Sequence, residues 1–198
     1  MKKISIDGRT LLSDKKYPLE EITFIKTAVD GSRHGQKNEV YFRPDAVSVL
    51  LVDRENEEFI LAKQLRLPVF LNPHGSSGGE LLEACAGLIE DGEQPEQAVI
   101  REAMEETGYQ VSDPVKIGGV YTSAGGITEF LHLFIAEVKP ADQLEQGGGV
   151  EGEGEDIELI RLHFREAKQR LEKGEINDAK TMLLLQHYFL YYFRFPVT

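Results

Sequence analysis

GLIEDGEQPEQAVIREAMEETGY, residues 87–109, is the stretch on which the reading of this chain turns. Pro95 suits the first turn of a helix, where its missing N–H removes no hydrogen bond. Ala98, Val99, Ala103 and Met104 fall on one apolar stripe, and Gly108 supplies a left-handed stop. The spacing predicts a helix over 95–107, entered through the acidic loop LIEDGEQ. Its last turns then carry Glu102, Glu105 and Glu106. Acids three and four residues apart repel across one helix face. Near the C-terminus each also opposes the macrodipole by about 0.3 to 1 kcal/mol. A pattern that local rules disfavour tends to mark function.

A divalent cation reverses both penalties. The donors in the stretch are all oxygen, with no Cys or His among them, which selects magnesium, manganese or calcium over zinc. Magnesium usually keeps water and shares a phosphate, so a phosphate-bearing partner is expected. The competing view is a solvated acidic face with Arg101 pairing to Glu105.

Outward from this stretch, AVSVLLVD (46–53) and FILAKQLR (59–66) read as strands, followed by a loop, LPVFLNPHGSSGG. ELLEACAG reads as one short strand, as do VKIGGVYTS, FLHLFIAEV and IELIRLHF. REAKQRLEKG and AKTMLLLQHYFLYYF read as helices. The Gly- and Glu-rich run at 142–156 reads as a mobile acidic loop. Residues 21–43 alternate around VDGSRHGQ like a strand pair, so an N-terminal β region over 1–43 is expected beside a main domain over 44–198. Strands and helices mix without strict alternation, which points to an α/β (α+β) sandwich with a mixed sheet between helices.

Composition agrees with a packed globular chain: 41% of the residues are hydrophobic and 28% charged. A formal charge of -12 argues against a nucleic-acid partner, since counterion release needs clustered Lys and Arg. The single cysteine, Cys85, lies in the apolar run LLEACAGLI and reads as a buried structural thiol. No signal peptide or membrane-spanning segment is recognisable, so a cytoplasmic location is expected. The five histidines show no metal-ligand spacing and are read as incidental.

Spacing decides between cation site and solvated face. Gly87, five residues, Glu93, seven residues, then Arg101-Glu102-Ala103-Met104-Glu105-Glu106-Thr107-Gly108-Tyr109 resembles the Nudix box. Every fixed polar and Gly position is filled; Tyr109 at the final apolar position is a mild departure. QLR (64–66), ELLEACAGLIE, YTSAGGITEFLHLFIAE, GGGVEGEGEDIE and GEINDAKT extend the similarity to the nucleotide-sugar members of the ADP-ribose pyrophosphatase branch.

The resemblance implies a mixed sheet sandwiched between helices and hydrolysis of a nucleoside diphosphate linked to another moiety, with Mg2+ or Mn2+. It implies that Glu102 and Glu106 are the main metal carboxylates and Glu105 a third. The backbone carbonyl of Ala86 and a late acid, Glu155 or in its place Glu151 or Glu153, would complete the set. Arg101 would pair with Glu93 or Glu105 in a structural role, and the implied roles of Gly87, Glu93 and Gly108 are structural as well. Substrate contacts are implied for Arg66, Glu129 and Lys180, and for Lys37, Asn38 and Glu39 across a homodimer. From the residues alone, Arg66 and Lys180 read equally well as ordinary salt-bridge partners. The attacking group would be water, with Glu105 or an acid of 151–155 as base. The expected substrate is a nucleoside-diphosphate sugar, GDP-mannose first and ADP-ribose second; a non-catalytic nucleotide-sugar sensor is the alternative from another class.

Overall fold

A computed structural model describes residues 3–72, 77–149 and 156–192. Three N-terminal strands, β1 (Lys3–Ser13), β2 (Leu19–Thr27) and β3 (Arg33–Tyr41), form an antiparallel sheet in the order β1-β2-β3. The hairpin expected over 21–43 is present as β2 and β3. β1 lies within the β region expected over 1–43, but as an individual strand it is not legible in the sequence, because a register shift between Ile6 and Gly8 breaks its alternation and its side chains stay largely exposed. Residues 121–131 cluster with residues 1–45 as one compact unit. Tyr41 donates its N–H to the Gly126 carbonyl at 2.8 Å, and Phe130 donates its N–H to the Asp45 carboxylate at 3.1 Å.

The second unit, residues 46–120 and 132–198, holds the main core. β4 (Ala46–Asp53) is buried at every residue, as a central strand covered on both faces must be. It pairs with β5 (Glu58–Leu65) through a tight turn. The buried Asp53 carboxylate closes that turn, accepting the N–H groups of Glu55 at 3.0 Å and Asn56 at 3.1 Å. β6 (Glu80–Glu83), β7 (Cys85–Leu88), β8 (Val115–Tyr121), β9 (Phe130–Val138) and β10 (Glu158–His163) complete a mixed sheet. Its path runs β10-β5-β4-β9-β8, with β6 on β5 and β7 on β4.

Side-chain alternation assigns the layers. Val47, Val49 and Leu51 of β4 and Ile60 of β5 meet Ala98, Val99 and Ala103 of the helix α2 (Pro95–Thr107), with α1 (Leu67–Leu71) preceding it in the chain. Phe59, next to Ile60, faces the other way. Its ring lies 4.6 Å from that of Phe164 in α3 (Phe164–Glu172) and 5.0 Å from that of Tyr188 in α4 (Ala179–Tyr191). The expected sandwich is therefore present, with α2 on one face and α3 and α4 on the other.

Three local expectations change. ELLEACAG is two strands, because the Ala84 N–H leaves the sheet for the Thr181 hydroxyl at 2.7 Å and the chain moves from β5 to β4. The segment after Arg66 opens with the helix α1, whose Pro sits in the first turn where no donor is needed. Phe164 begins α3 and does not end a strand, since His163 caps that helix by accepting the Arg165 N–H at 3.2 Å. Among the described residues no helix is long and apolar enough to cross a membrane.

Phe59 is fully buried among these rings. Phe59→Ala is expected to cost about 3 to 5 kcal/mol, read as a lower urea midpoint. A midpoint shift no larger than that of a surface substitution would contradict this packing.

Candidate active site

α2 and the loop that leads into it are tied together by one guanidinium. Arg101 donates from Nε and Nη2 to the two Glu93 carboxylate oxygens, both at 3.0 Å. Nη2 also donates to the Leu88 carbonyl at 2.9 Å. Nη1 donates to Glu102 at 2.8 Å and to Glu105 at 3.0 Å. Glu93 in turn accepts the Glu90 N–H at 3.0 Å, and Arg101 holds the Glu93 carboxyl below the usual carboxylate range. Loop, helix and two of the three terminal acids thus share one cation.

The same helix face lies against β7. A Cβ on Gly87 would stand 1.9 Å from the Glu102 carboxylate carbon, so only a glycine admits that carboxylate over the strand. Glu106 is 3% exposed and accepts the Ala86 N–H at 3.0 Å. Cys85, directly before Ala86, is buried; burial first, then the Glu106 carboxylate, pushes its thiol well up. A thiol so held is no nucleophile, in keeping with its structural reading.

The end of α2 is closed by backbone donors. Gly108 adopts φ 72° and donates to the Met104 carbonyl at 2.8 Å. Gly148 donates its N–H to the Glu106 carbonyl at 2.9 Å, and Gly149 donates its own to the Glu105 carbonyl at 3.2 Å. The first part of the run expected to be a mobile loop is therefore strapped onto the helix, with Leu144 donating to the Gly108 carbonyl at 2.8 Å. These donors meet the carbonyls that a helix C-terminus leaves unpaired. Glu151, Glu153 and Glu155 lie outside the described residues, as does His74.

Among the described residues no three His, Cys, Asp or Glu side chains gather as a metal-ligand group. What the site offers is the Glu102 carboxylate in a cradle that any Cβ would fill, the Glu106 carboxylate beside it, and the Ala86 backbone. All are hard oxygen donors, a set that suits a divalent cation such as magnesium better than zinc.

A second cluster was missed by the sequence reading. Glu83, 2% exposed, accepts from Arg66 Nε at 2.7 Å, Arg66 Nη2 at 2.8 Å and Lys180 Nζ at 2.6 Å. Burial pushes the Glu83 carboxyl up, but Arg66 and Lys180 outweigh it and hold the group below its ordinary range. Lys180 also stands 3.1 Å from Asp178, which caps α4 by accepting the Thr181 N–H at 2.9 Å. The signal was present as an acid in the apolar run of ELLEACAG, a residue type almost never buried without a partner.

The remaining expected residues belong to the other unit. Glu129 is buried, accepts from the Thr122 hydroxyl at 3.1 Å and pairs with Arg43 at 3.3 Å. Lys37, Asn38 and Glu39 are exposed on β3, where Lys37 donates to Glu21 at 2.6 Å.

Comparison with known proteins adds to this geometry. A family model described as the NUDIX domain matches residues 42–193. A GDP-mannose pyrophosphatase of Cronobacter sakazakii is 45% identical over 177 residues, covering 89% of this chain and 90% of that protein. One from Escherichia coli is 41% identical with the same coverage. One from Citrobacter koseri is 40% identical over 185 residues, covering 93% of this chain and 94% of its own. The crystal structure of an ADP compounds hydrolase superposes with a TM-score of 0.68 at 18% identity, covering 95% of each chain, a likeness of fold.

Gly87→Ala is expected to displace the Glu102 carboxylate and weaken Mn2+ binding about 10- to 100-fold in a calorimetric titration, with the circular dichroism spectrum retained. Unaltered affinity would show that the close approach over Gly87 has no bearing on a cation.

Proposed function

This chain belongs to the Nudix hydrolase family, and from that premise we propose that it cleaves the diphosphate bond of a nucleoside-diphosphate sugar, GDP-mannose first, to GMP and mannose 1-phosphate. The observation that carries the proposal is the seating of Glu102 and Glu106 on the Ala86–Gly87 backbone. The GDP-mannose pyrophosphatases similar to this chain support the choice of sugar, because the identity runs far beyond the helix and its loop.

In this reading Glu102, Glu106 and the Ala86 carbonyl hold Mg2+, or Mn2+ in its place, and Glu155 completes the set. Once bound, the ion supplies charge neutralisation at the phosphoryl oxygens and a lowered pKa for water. The chain does the rest. Glu105, or an acid of 151–155, takes the proton of the attacking water. Arg66, whose Nε and Nη2 hold Glu83, offers its remaining guanidinium N–H groups to the diphosphate, and Lys180 adds a point charge. Arg101 keeps Glu93, Glu102 and Glu105 in place and touches no substrate. Glu129 reads the nucleoside or sugar, and Lys37, Asn38 and Glu39 reach the substrate across a homodimer that acts in the cytoplasm. Exposed Ile4, Ile6, Leu11 and Leu12 on β1 support such an interface. A non-catalytic sensor would be expected to have lost box carboxylates, all of which are present here.

Purified protein given Mg2+ and a panel of GDP-mannose, ADP-ribose and other nucleotide sugars should release GMP fastest from GDP-mannose. Faster release of AMP from ADP-ribose would move the assignment to that substrate, and no release from any member would favour the sensor. Glu106→Gln keeps an acceptor for the Ala86 N–H but loses the charge, so turnover should vanish with the fold intact; retained activity would remove Glu106 from the metal set. Light scattering should give twice the 22.2 kDa chain mass. A monomer would leave Lys37, Asn38 and Glu39 without a route to the substrate.

A further inference from the structure

We propose that Glu83 is a positioning residue for diphosphate binding, its buried carboxylate holding Arg66 and Lys180 together as one anion-binding pair. The inference rests on the reading of Arg66 and Lys180 as diphosphate ligands given above. It adds the group that brings them together.

The two cations come from distant parts of the chain. Arg66 follows β5, and Lys180 is the second residue of α4. Both end on the same carboxylate at 2.6 to 2.8 Å. The Arg66 contact is two-pronged, which fixes the plane of the guanidinium as well as its place. The Arg66 side chain nevertheless remains 39% exposed, against 14% for Lys180 and 2% for Glu83, so the anchor is sealed and Arg66 is the member of the pair that faces outward. A buried ion pair is poor as a staple, because apolar residues of similar volume commonly hold a fold equally well. As a device for setting two cations at one spot it has no apolar substitute.

Connectivity ties the pair to the carboxylate site. Glu83 is followed by Ala84, whose N–H is held by Thr181, the neighbour of Lys180. Two residues further, the Ala86 N–H is held by Glu106. Residues 83–86 therefore carry the cation pair at one end and the metal-type carboxylate at the other. A diphosphate, which needs a cation on each side of its charge, is the ligand class that uses both ends.

The full chain should be titrated calorimetrically with inorganic diphosphate, with and without Mg2+. Glu83→Gln should weaken binding at least about tenfold, and Glu83→Asp, which keeps the charge on a shorter stem, should fall between it and the parent protein. With nucleotide sugar as substrate the loss should appear in KM, with kcat retained. A double-mutant cycle separates positioning from general stability: Arg66→Ala should cost much less diphosphate affinity in the Glu83→Gln background than in the parent. Independent losses, diphosphate affinity within twofold of the parent in Glu83→Gln, or no diphosphate binding by the parent protein would each overturn the proposal. If Glu83→Gln does not fold, the same cycle built on Glu83→Asp measures the coupling to Arg66 instead. Diphosphate binding that depends on Glu83, in a protein that cleaves no nucleotide sugar, would sink the proposed substrate and leave this inference standing.

Discussion

The rest of the site depends on the guanidinium of Arg101. A helix that ends in Glu102, Glu105 and Glu106 places like charges beside one another at the negative end of its dipole. Arg101 meets that charge from within the helix, donating to Glu102 and Glu105. It also reaches Glu93 and the Leu88 carbonyl. The helix is thereby made tolerable, and the loop that crosses from β7 is fixed on the same cation. A lysine has the charge but not the fork, and would serve at most part of this set.

Three glycines finish what Arg101 begins. Gly87 lets α2 approach β7 so closely that the Glu102 carboxylate lies over the strand backbone. Gly148 and Gly149 supply the N–H groups that the Glu106 and Glu105 carbonyls would otherwise lack. The side chains of these acids are thus available for chemistry while their backbones are held. This division explains how acids can crowd a helix end without unravelling it. Strain is avoided by donors placed from elsewhere in the chain, and the local penalty is offset by tertiary contacts.

The sheet transmits order between α2 and α4. The change of partner at Ala84, from β5 to β4, frees an N–H that Thr181 takes up. Thr181 is itself fixed by Asp178, and Lys180 between them turns to Glu83. The break in the strand that sequence reading smoothed over is therefore what brings the start of α4 to the edge of the carboxylate site. A continuous strand would have kept that N–H in the sheet ladder and given Thr181 nothing to hold.

Sequence by itself determined the helix over 95–107, the central strand over 46–53, the sandwich class and the family, because each is written in short-range spacing. The glycine and acid positions of residues 87–108 fall at fixed intervals, and the apolar periods of α2 and β4 fall within one element each. The tertiary structure alone decided the rest. That β1 is a strand, that Phe164 opens a helix, that residues 144–149 are strapped down and that Glu83 joins Arg66 to Lys180 all depend on partners far away in the chain. The physical reason is that hydrogen bonds and ion pairs are made in space: a buried carboxylate announces in sequence only that it needs cations, and the fold chooses which ones it meets.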